Sequence, residues 1–185
     1  MKKIILSMMV SVDGFIETGN RDISWHNWSP EMDDYMSIFF KRVDTIILGR
    51  VAYELMASYW PSSAAEAENP LIAHKMNKLN KLVLSTTLQN TTWRNTSIER
   101  ELNHQLLAQI KEQPGKDIVI FGGAKVAQAF INMDAIDEYQ LIINPVILGQ
   151  GLPLFSNHNQ QFRKLELIKC VQTKIGNTVL HYQKT

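Results

Sequence analysis

Lys116-Asp-Ile-Val-Ile-Phe-Gly-Gly-Ala-Lys-Val-Ala-Gln-Ala-Phe-Ile131 is the stretch on which the reading of this chain turns. Ile118 to Phe121 is a short apolar run of the kind that forms a buried strand. Gly122-Gly123 interrupts it, and Val126, Phe130 and Met133 then recur at helical spacing. A strand that turns through two glycines into a helix points free backbone N–H groups, and the positive end of the helix dipole, at one place. The missing Cβ atoms let a phosphate come close there. Two glycines also serve as a plain tight connection, so the rest of the chain must decide between the readings.

Two further units share this build, Ile46-Ile-Leu-Gly-Arg50 and Leu82-Val-Leu-Ser-Thr-Thr87. In an open α/β sheet, ligands lie beyond the carboxyl ends of the strands, so all three turns can face one crevice. One turn supplies a guanidinium, one supplies hydroxyls and one a bare backbone. A phosphorylated dinucleotide needs that set: backbone amides for the pyrophosphate, and Arg with hydroxyls for a further phosphate. Plainer readings stand beside these, with Arg50 an exposed residue at a helix start and Ser85 and Thr86 ordinary turn formers. The Gly-x-Gly-x-x-Gly signature of the common dinucleotide fold is absent from the sequence.

Around these units the pattern alternates strand and helix, then turns to strands alone. Lys3 to Val12 reads as the first strand, closed by Asp13-Gly14, and a polar, Trp-rich loop follows from Glu17 to Trp28. Ser29 is placed as an N-cap with Pro30 at the first helical position, and Met32, Tyr35, Met36, Phe39 and Phe40 form one helical face. Thr45 to Leu48 is a strand, and a helix runs from Gly49-Arg50 to about Tyr59. Pro61 to Asn69 is a polar loop, Pro70 to Leu79 a short helix, and Lys81 to Ser85 a strand. Thr96-x-x-Glu99 reads as a capping box ahead of a helix carrying Ile98, Leu102, Leu106, Leu107 and Ile110. Tyr139–Ile143, Phe162–Thr173 and Thr178–Tyr182 are strand-like, the last two joined at Gly176-Asn177. The expected fold is an α/β, three-layer arrangement over residues 1–185 as a single domain, with a mixed sheet and helices on both faces.

Composition narrows the function. Nineteen basic residues against eighteen acidic leave a net charge of +1, without the electrostatic footprint of a nucleic-acid or anionic-membrane binder. The single cysteine, Cys170, excludes an internal disulfide and a Cys-rich zinc site. His26, His74, His104, His158 and His181 show no metal-ligand spacing, so no metal is expected. The Met1-Lys-Lys start with its apolar run is read as a buried strand and not a signal peptide, because Asp13-Gly14 follows without a cleavage site. A cytoplasmic protein is therefore expected, in which the sequons at Asn27, Asn90 and Asn95 carry no meaning.

Read in order, the chain resembles the dihydrofolate reductase-like superfamily. Within it, the resemblance is to the reductase domain of riboflavin-biosynthesis proteins (the C-terminal domain of bifunctional deaminase-reductases) and its stand-alone bacterial relatives. The segments that carry it are Ser11-Val-Asp-Gly-Phe-Ile16, Leu48-Gly-Arg50, Leu84-Ser-Thr86, Val119-Ile-Phe-Gly-Gly-Ala-Lys-Val126, and Asp137-Glu-Tyr through Asn144-Pro-Val-Ile-Leu-Gly-Gln-Gly-Leu-Pro-Leu-Phe155. The resemblance implies a mostly parallel eight-stranded sheet with an antiparallel C-terminal edge, binding NADPH. It implies that Arg50, Ser85 and Thr86 hold the adenosine side and its 2′-phosphate. Gly122, Gly123, Ala124, Lys125 and Val126 hold the pyrophosphate, Met9 and Phe121 flank the nicotinamide, and the Glu17–Trp28 loop covers the site. Gly123→Val is then expected to abolish cofactor binding with the fold largely intact.

Departures from the family pattern weaken any assignment of substrate. Ala52 stands where folate reductases carry a phosphate-binding Thr, and Met36 where their first helix carries a pterin-anchoring carboxylate. Asp33 and Asp34 lie about a turn away, and also suit the first turn of any helix. Phe15 replaces the Lys usual in riboflavin reductases. Trp25 and Trp28 either line a pocket for a flat heterocycle or staple the loop to the core. Asp13 is the candidate proton source, and equally an ordinary turn residue.

The expected activity is NADPH-dependent hydride transfer to a C=N bond of a pteridine-like or riboflavin-precursor pyrimidine, a small heterocycle. The alternative is a nucleotide- or ligand-binding protein that keeps the fold without turnover. The apolar, Pro/Gly-broken stretch from Tyr139 to Phe155 points to a homodimer, as does the habit of related riboflavin-type reductases.

Overall fold

Ile4–Ser11 forms the central strand, β1, because nearly every side chain in IILSMMVS can be buried, as a strand covered on both faces requires. The computed structural model describes residues 1–156 and 162–185, so His158 lies outside the described residues. After β1 come β2 (Phe15–Glu17), α1 (Pro30–Phe39), β3 (Val43–Gly49), α2 (Arg50–Tyr59), α3 (Ser63–Glu68), α4 (Pro70–Lys78) and β4 (Asn80–Leu84). Then follow β5 (Thr96–Glu99), α5 (His104–Glu112), β6 (Asp117–Ile120), α6 (Ala124–Asn132), β7 (Glu138–Asn144), β8 (Leu152–Pro153), β9 (Leu165–Gln172) and β10 (Thr178–Lys184).

Eight of these strands build one sheet in the order β5-β4-β3-β6-β1-β7-β10-β9. Neighbours are parallel from β5 to β7, and β10 and β9 close the edge in antiparallel pairing. This is the mostly parallel eight-stranded sheet with an antiparallel C-terminal edge that the family resemblance implied. Alternation along β1 sorts the core into two layers. Ile4, Leu6, Met8 and Val10 pack with Leu106 and Ile110 of α5 and Val126 and Phe130 of α6. Ile5 packs on the other face with Met32, Met36 and Phe39 of α1, Tyr53 of α2, and Ile72 and Met76 of α4.

Three local expectations are corrected. Thr96–Glu99 is a strand pairing in parallel with β4, not a capping box. Thr96 Oγ1 donates to the Trp93 carbonyl at 2.6 Å, and α5 begins only at His104, where the Asn103 side chain accepts from Leu106 N at 2.9 Å. Pro61–Asn69 is not a loop throughout: Ser62 caps Ser63–Glu68, whose Ala and Glu residues favour a helix. Ser29 occupies the N-cap of α1 with extended backbone, but its hydroxyl makes no capping bond, and Pro30 alone marks the start.

Two buried charges lie away from the carboxyl ends of the parallel strands. Glu138, at the start of β7, is 2% exposed and accepts from Lys3, Arg42 and His181. Lys81 on β4 is 1% exposed, donates to the Met76 and Asn77 carbonyls at 3.0 and 3.3 Å, and lies 4.4 Å from the Trp93 ring centroid. It thus closes the C-terminus of α4 with a cation.

Burial lowers the Lys81 ammonium to about 8 from 10.5. Between those values the unfolded chain holds a proton that the folded chain has lost, so stability rises with pH across that window. Chemical denaturation of wild type and Lys81→Met at stepped pH should show this rise in the wild type alone, of about 1–2 kcal/mol, discounted for the carbonyl bonds that favour the ammonium. A rise of equal size in both proteins would show that Lys81 does not carry it.

Candidate functional site

The parallel strands β3, β4, β5 and β6 all end on one edge, and the register there fixes which residues meet. Gly49 is opposite Leu84, and Leu84 is opposite Glu99. On the other side of β3, Phe121 N donates to Ile47 O at 3.1 Å and Gly49 N to Gly122 O at 3.4 Å. The turn after β6 therefore lies against the turn after β3, and the turn after β4 against both β3 and β5. The three strand-to-turn units of the sequence do share one edge.

Gly122 and Gly123 have φ of +137° and +93°, in the left-handed range that disfavours a side chain. A Cβ on Gly123 would meet Gly49 N at 3.1 Å and Gly49 Cα at 3.2 Å. The Gly-Gly unit therefore also serves close packing of two backbones. This corrects the expectation for Gly123→Val, which would displace β3 as well as any ligand. Ala124 and Val126 are buried in the first core layer, leaving their backbone for contact, while Lys125 is exposed.

Arg50 opens α2 and is exposed, with NH1 2.9 Å from both oxygens of Glu54 one turn later. An exposed pair of this kind is worth about 0–1 kcal/mol, so a phosphate can displace it. Ser85 Oγ accepts from Thr87 N at 3.2 Å and Leu88 N at 3.0 Å, shaping the turn, while Thr86 is exposed. Met9 and Phe121 both border the second core layer, and Phe121 stacks on Phe40 with centroids 5.7 Å apart.

A second group forms where α1 begins. Asp33 Oδ1 accepts from Trp28 Nε1 and from Asn69 Nδ2, each at 2.6 Å. Asn69 joins α3 to α4, and no signal in its own segment, which reads as a polar loop, marks it as part of a site. Trp25 lies elsewhere in the loop, donating to Asp22 O at 3.1 Å and meeting His26 edge-on at 4.4 Å. Asn27 fastens this loop: its N–H reaches Asn144 Oδ1 and its carbonyl accepts from Asn177 Nδ2, both at 2.8 Å. Met36 is fully buried, within 3.9 Å of Gln140 Nε2, and so offers a ligand no surface.

Asp13 is held as a hydrogen-bond acceptor. Ser11 Oγ donates to it at 2.6 Å, as do Gly149 N at 2.7 Å and Leu148 N at 3.2 Å, and these bonds, Ser11's foremost, hold the carboxyl below its usual range. It is a staple between the turn after β1 and the Pro145–Gln150 loop.

An open, mostly parallel sheet with three strand-to-turn units along one carboxyl edge defines an α/β protein of the open-sheet class. More narrowly, residues 2–179 match the RibD C-terminal domain, and the chain belongs to that family. It is 33% identical over 177 residues to YyaP of Bacillus subtilis (strain 168), covering 94% of this chain and 88% of YyaP. A candidate riboflavin biosynthesis protein from Shewanella sp. PV-4 superposes with a TM-score of 0.77 at 21% identity, over 100% of this chain and 99% of that one. Dihydrofolate reductase from Enterococcus faecalis, complexed with NADP(H), superposes with a TM-score of 0.65 at 15% identity, over 99% of this chain and 96% of its own.

Proposed function

We propose that this protein is an NADPH-dependent reductase acting on the C=N bond of a small heterocycle, pteridine-like or a pyrimidine of the riboflavin pathway. The observation that carries the reading is the alignment of Arg50, the Ser85–Thr87 turn and Gly122-Gly123 along one sheet edge. Family membership supports it, as does the fold's likeness to a reductase holding NADP(H). The donor set fits the cofactor. Arg50 with Ser85 and Thr86 answers a 2′-phosphate, the backbone from Gly122 to Val126 answers a pyrophosphate, and Met9 and Phe121 supply apolar flanks for a nicotinamide. Bound there, the cofactor supplies a hydride.

Asp33 is the substrate anchor in this reading. With Oδ1 held by Trp28 and Asn69, its second oxygen makes no hydrogen bond among the described residues and can accept from a heterocycle N–H. The loop fastened through Asn27 keeps water from the reacting atoms. Titrating NADPH and NADH against tryptophan fluorescence, then following nicotinamide absorbance with reducible pyrimidines and pteridines, tests the reading. Equal affinity for the two cofactors would remove the 2′-phosphate assignment, and binding without turnover would favour the ligand-binding alternative.

The working unit is proposed to be a homodimer, through the exposed part of the stretch the sequence suggested together with the edge strand β9. Most of Tyr139–Phe155 packs on its own chain, with Ile142 and Leu154 buried. Within that stretch Ile147 is 73% and Phe155 45% exposed, and the edge strand β9 exposes Leu167 and Ile168. A long apolar edge strand calls for a cover, and a two-fold axis lets it meet itself. Sedimentation should give twice the 21.2 kDa chain mass, and Leu167→Glu should return the single-chain mass. A wild type that sediments as one chain at micromolar concentration would rule the dimer out.

A further inference from the structure

We infer that Asn69 is a specificity-determining residue of the substrate site. By filling one oxygen of Asp33 it selects a ring presented through a single N–H, a lactam or imide edge, over a 2-amino ring presented through two parallel donors. The inference rests on the proposed role of Asp33 as substrate anchor. A carboxylate has about four lone-pair sites, shared equally by its oxygens. Asp33 Oδ1 accepts from Trp28 Nε1 and Asn69 Nδ2, each at 2.6 Å, so both of its sites are taken. Oδ2 makes no hydrogen bond among the described residues. A 2-amino ring grips a carboxylate as a fork, with one donor to each oxygen. At Asp33 one prong of that fork meets a filled oxygen. A lactam N–H needs Oδ2 alone.

The place of Asn69 in the chain strengthens the case. It ends α3, its N–H donating to Ala65 O at 2.9 Å, and is the N-cap of α4, its carbonyl accepting from Ala73 N at 2.9 Å. Asn is among the best N-caps because its side-chain oxygen accepts from the first free N–H groups of a helix. Asn69 makes no such bond. Its amide turns to Asp33 instead, and since a carboxylate only accepts, the amide nitrogen must face it. A local stabilising bond is thus given up beside the candidate site, as happens where a side chain serves function and not the fold. Nδ2 keeps a second N–H without a partner among the described residues. A donor and an acceptor on these two side chains complement the C=O and N–H of a lactam, whereas a 2-amino edge leaves the donor unanswered.

Lumazine and pterin are the same fused ring with an oxo or an amino group at C2, so they isolate this choice. Their dissociation constants should be measured with NADP+ present, which prevents turnover, for wild type, Asp33→Asn, Asn69→Ala and Asn69→Ser, with thermal melts of each. Wild type is expected to bind lumazine about tenfold more tightly than pterin. Asn69→Ala frees a site on Oδ1 and should tighten pterin about fivefold while weakening lumazine, a gain that lost stability cannot produce. Asn69→Ser restores a cap to α4 with a side chain too short to reach Asp33. It should melt at or above wild type and still lose the preference. Asp33→Asn should weaken both ligands. If wild type binds pterin as tightly as lumazine, or binds neither, or if the Asn69 variants weaken both in proportion, the inference is overturned. If only Asp33→Asn has an effect, the anchor stands and Asn69 alone is excluded. If Asp33→Asn changes neither ligand, the anchor reading falls and this inference with it, while the cofactor titrations are unaffected.

Discussion

Glu138→Gln is expected to destabilise the fold by about 3–5 kcal/mol, the largest loss from any single substitution discussed, because it breaks a buried ion-pair network from one side. Glu138 stands where three segments converge: Lys3 before β1, Arg42 before β3, and His181 on β10. Lys3 Nζ lies at 2.7 Å, Arg42 NH1 at 2.9 Å and His181 Nε2 at 2.8 Å, and Arg42 also reaches Asp117 at 2.6 Å. Gln keeps the shape but leaves the Arg42 and Lys3 charges short of their common counter-ion.

The pH dependence follows from the same geometry. Burial alone would raise the Glu138 carboxyl, but the bonds from His181, Arg42 and Lys3 outweigh it and hold the group far below its usual range. Its stabilisation is therefore complete above the unfolded value of 4.5 and is lost progressively as pH falls below it. Urea denaturation at neutral and acid pH should show a steep acid limb in the wild type and a shallower one in Glu138→Gln. A loss below about 1 kcal/mol at neutral pH would mean that the network is solvated and contributes little. Because the network sits at the amino-terminal edge of the parallel strands, cofactor affinity of the folded variant should be unchanged.

How much of this was legible beforehand depended on whether a pattern had one physical cause or two. Ile4–Ser11, Ile46–Leu48 and Ile118–Ile120 are apolar runs bounded by turns, which suit a parallel strand covered on both faces, and all three are strands. Thr96-Ser-Ile-Glu99 had two causes, since the letters of a capping box are also those of a short half-exposed strand, and pairing with β4 decides for the strand. That choice also hid Arg100, whose NH1 donates to the Ser85 carbonyl at 3.0 Å across the ends of the two strands. Likewise, Asn69 carries no motif, and its bond to Asp33 depends on α4 packing against α1, a tertiary fact. Asp13 looked like a proton source because a carboxylate after a strand is common at such sites. Only the donors from Gly149 and Leu148, more than a hundred residues away, show it to be a staple.

The second large effect falls on ligand binding: Arg50→Ala should weaken NADPH by about 1.5–3 kcal/mol, roughly ten- to a hundred-and-fifty-fold, and leave NADH nearly unchanged. The range is that of a hydrogen bond to a charged group, and the selectivity follows because only NADPH carries the 2′-phosphate. The Glu54 pair adds a control that the sequence alone did not suggest. Glu54 Oε1 and Oε2 both lie 2.9 Å from Arg50 NH1, so a phosphate must displace a carboxylate before it can be bound. Both side chains are nearly half exposed, which limits the competition to at most about 1 kcal/mol. Glu54→Gln should therefore tighten NADPH by up to about fivefold, the opposite direction from Arg50→Ala, and should have no effect in the Arg50→Ala background. A turn that merely begins a helix predicts none of this: both variants would then change stability by tenths of a kcal/mol and leave the two cofactors indistinguishable. Fluorescence titration of the four proteins with each cofactor separates the two cases. Tightening by Glu54→Gln that persists without Arg50 would place the phosphate against some other cation of the edge.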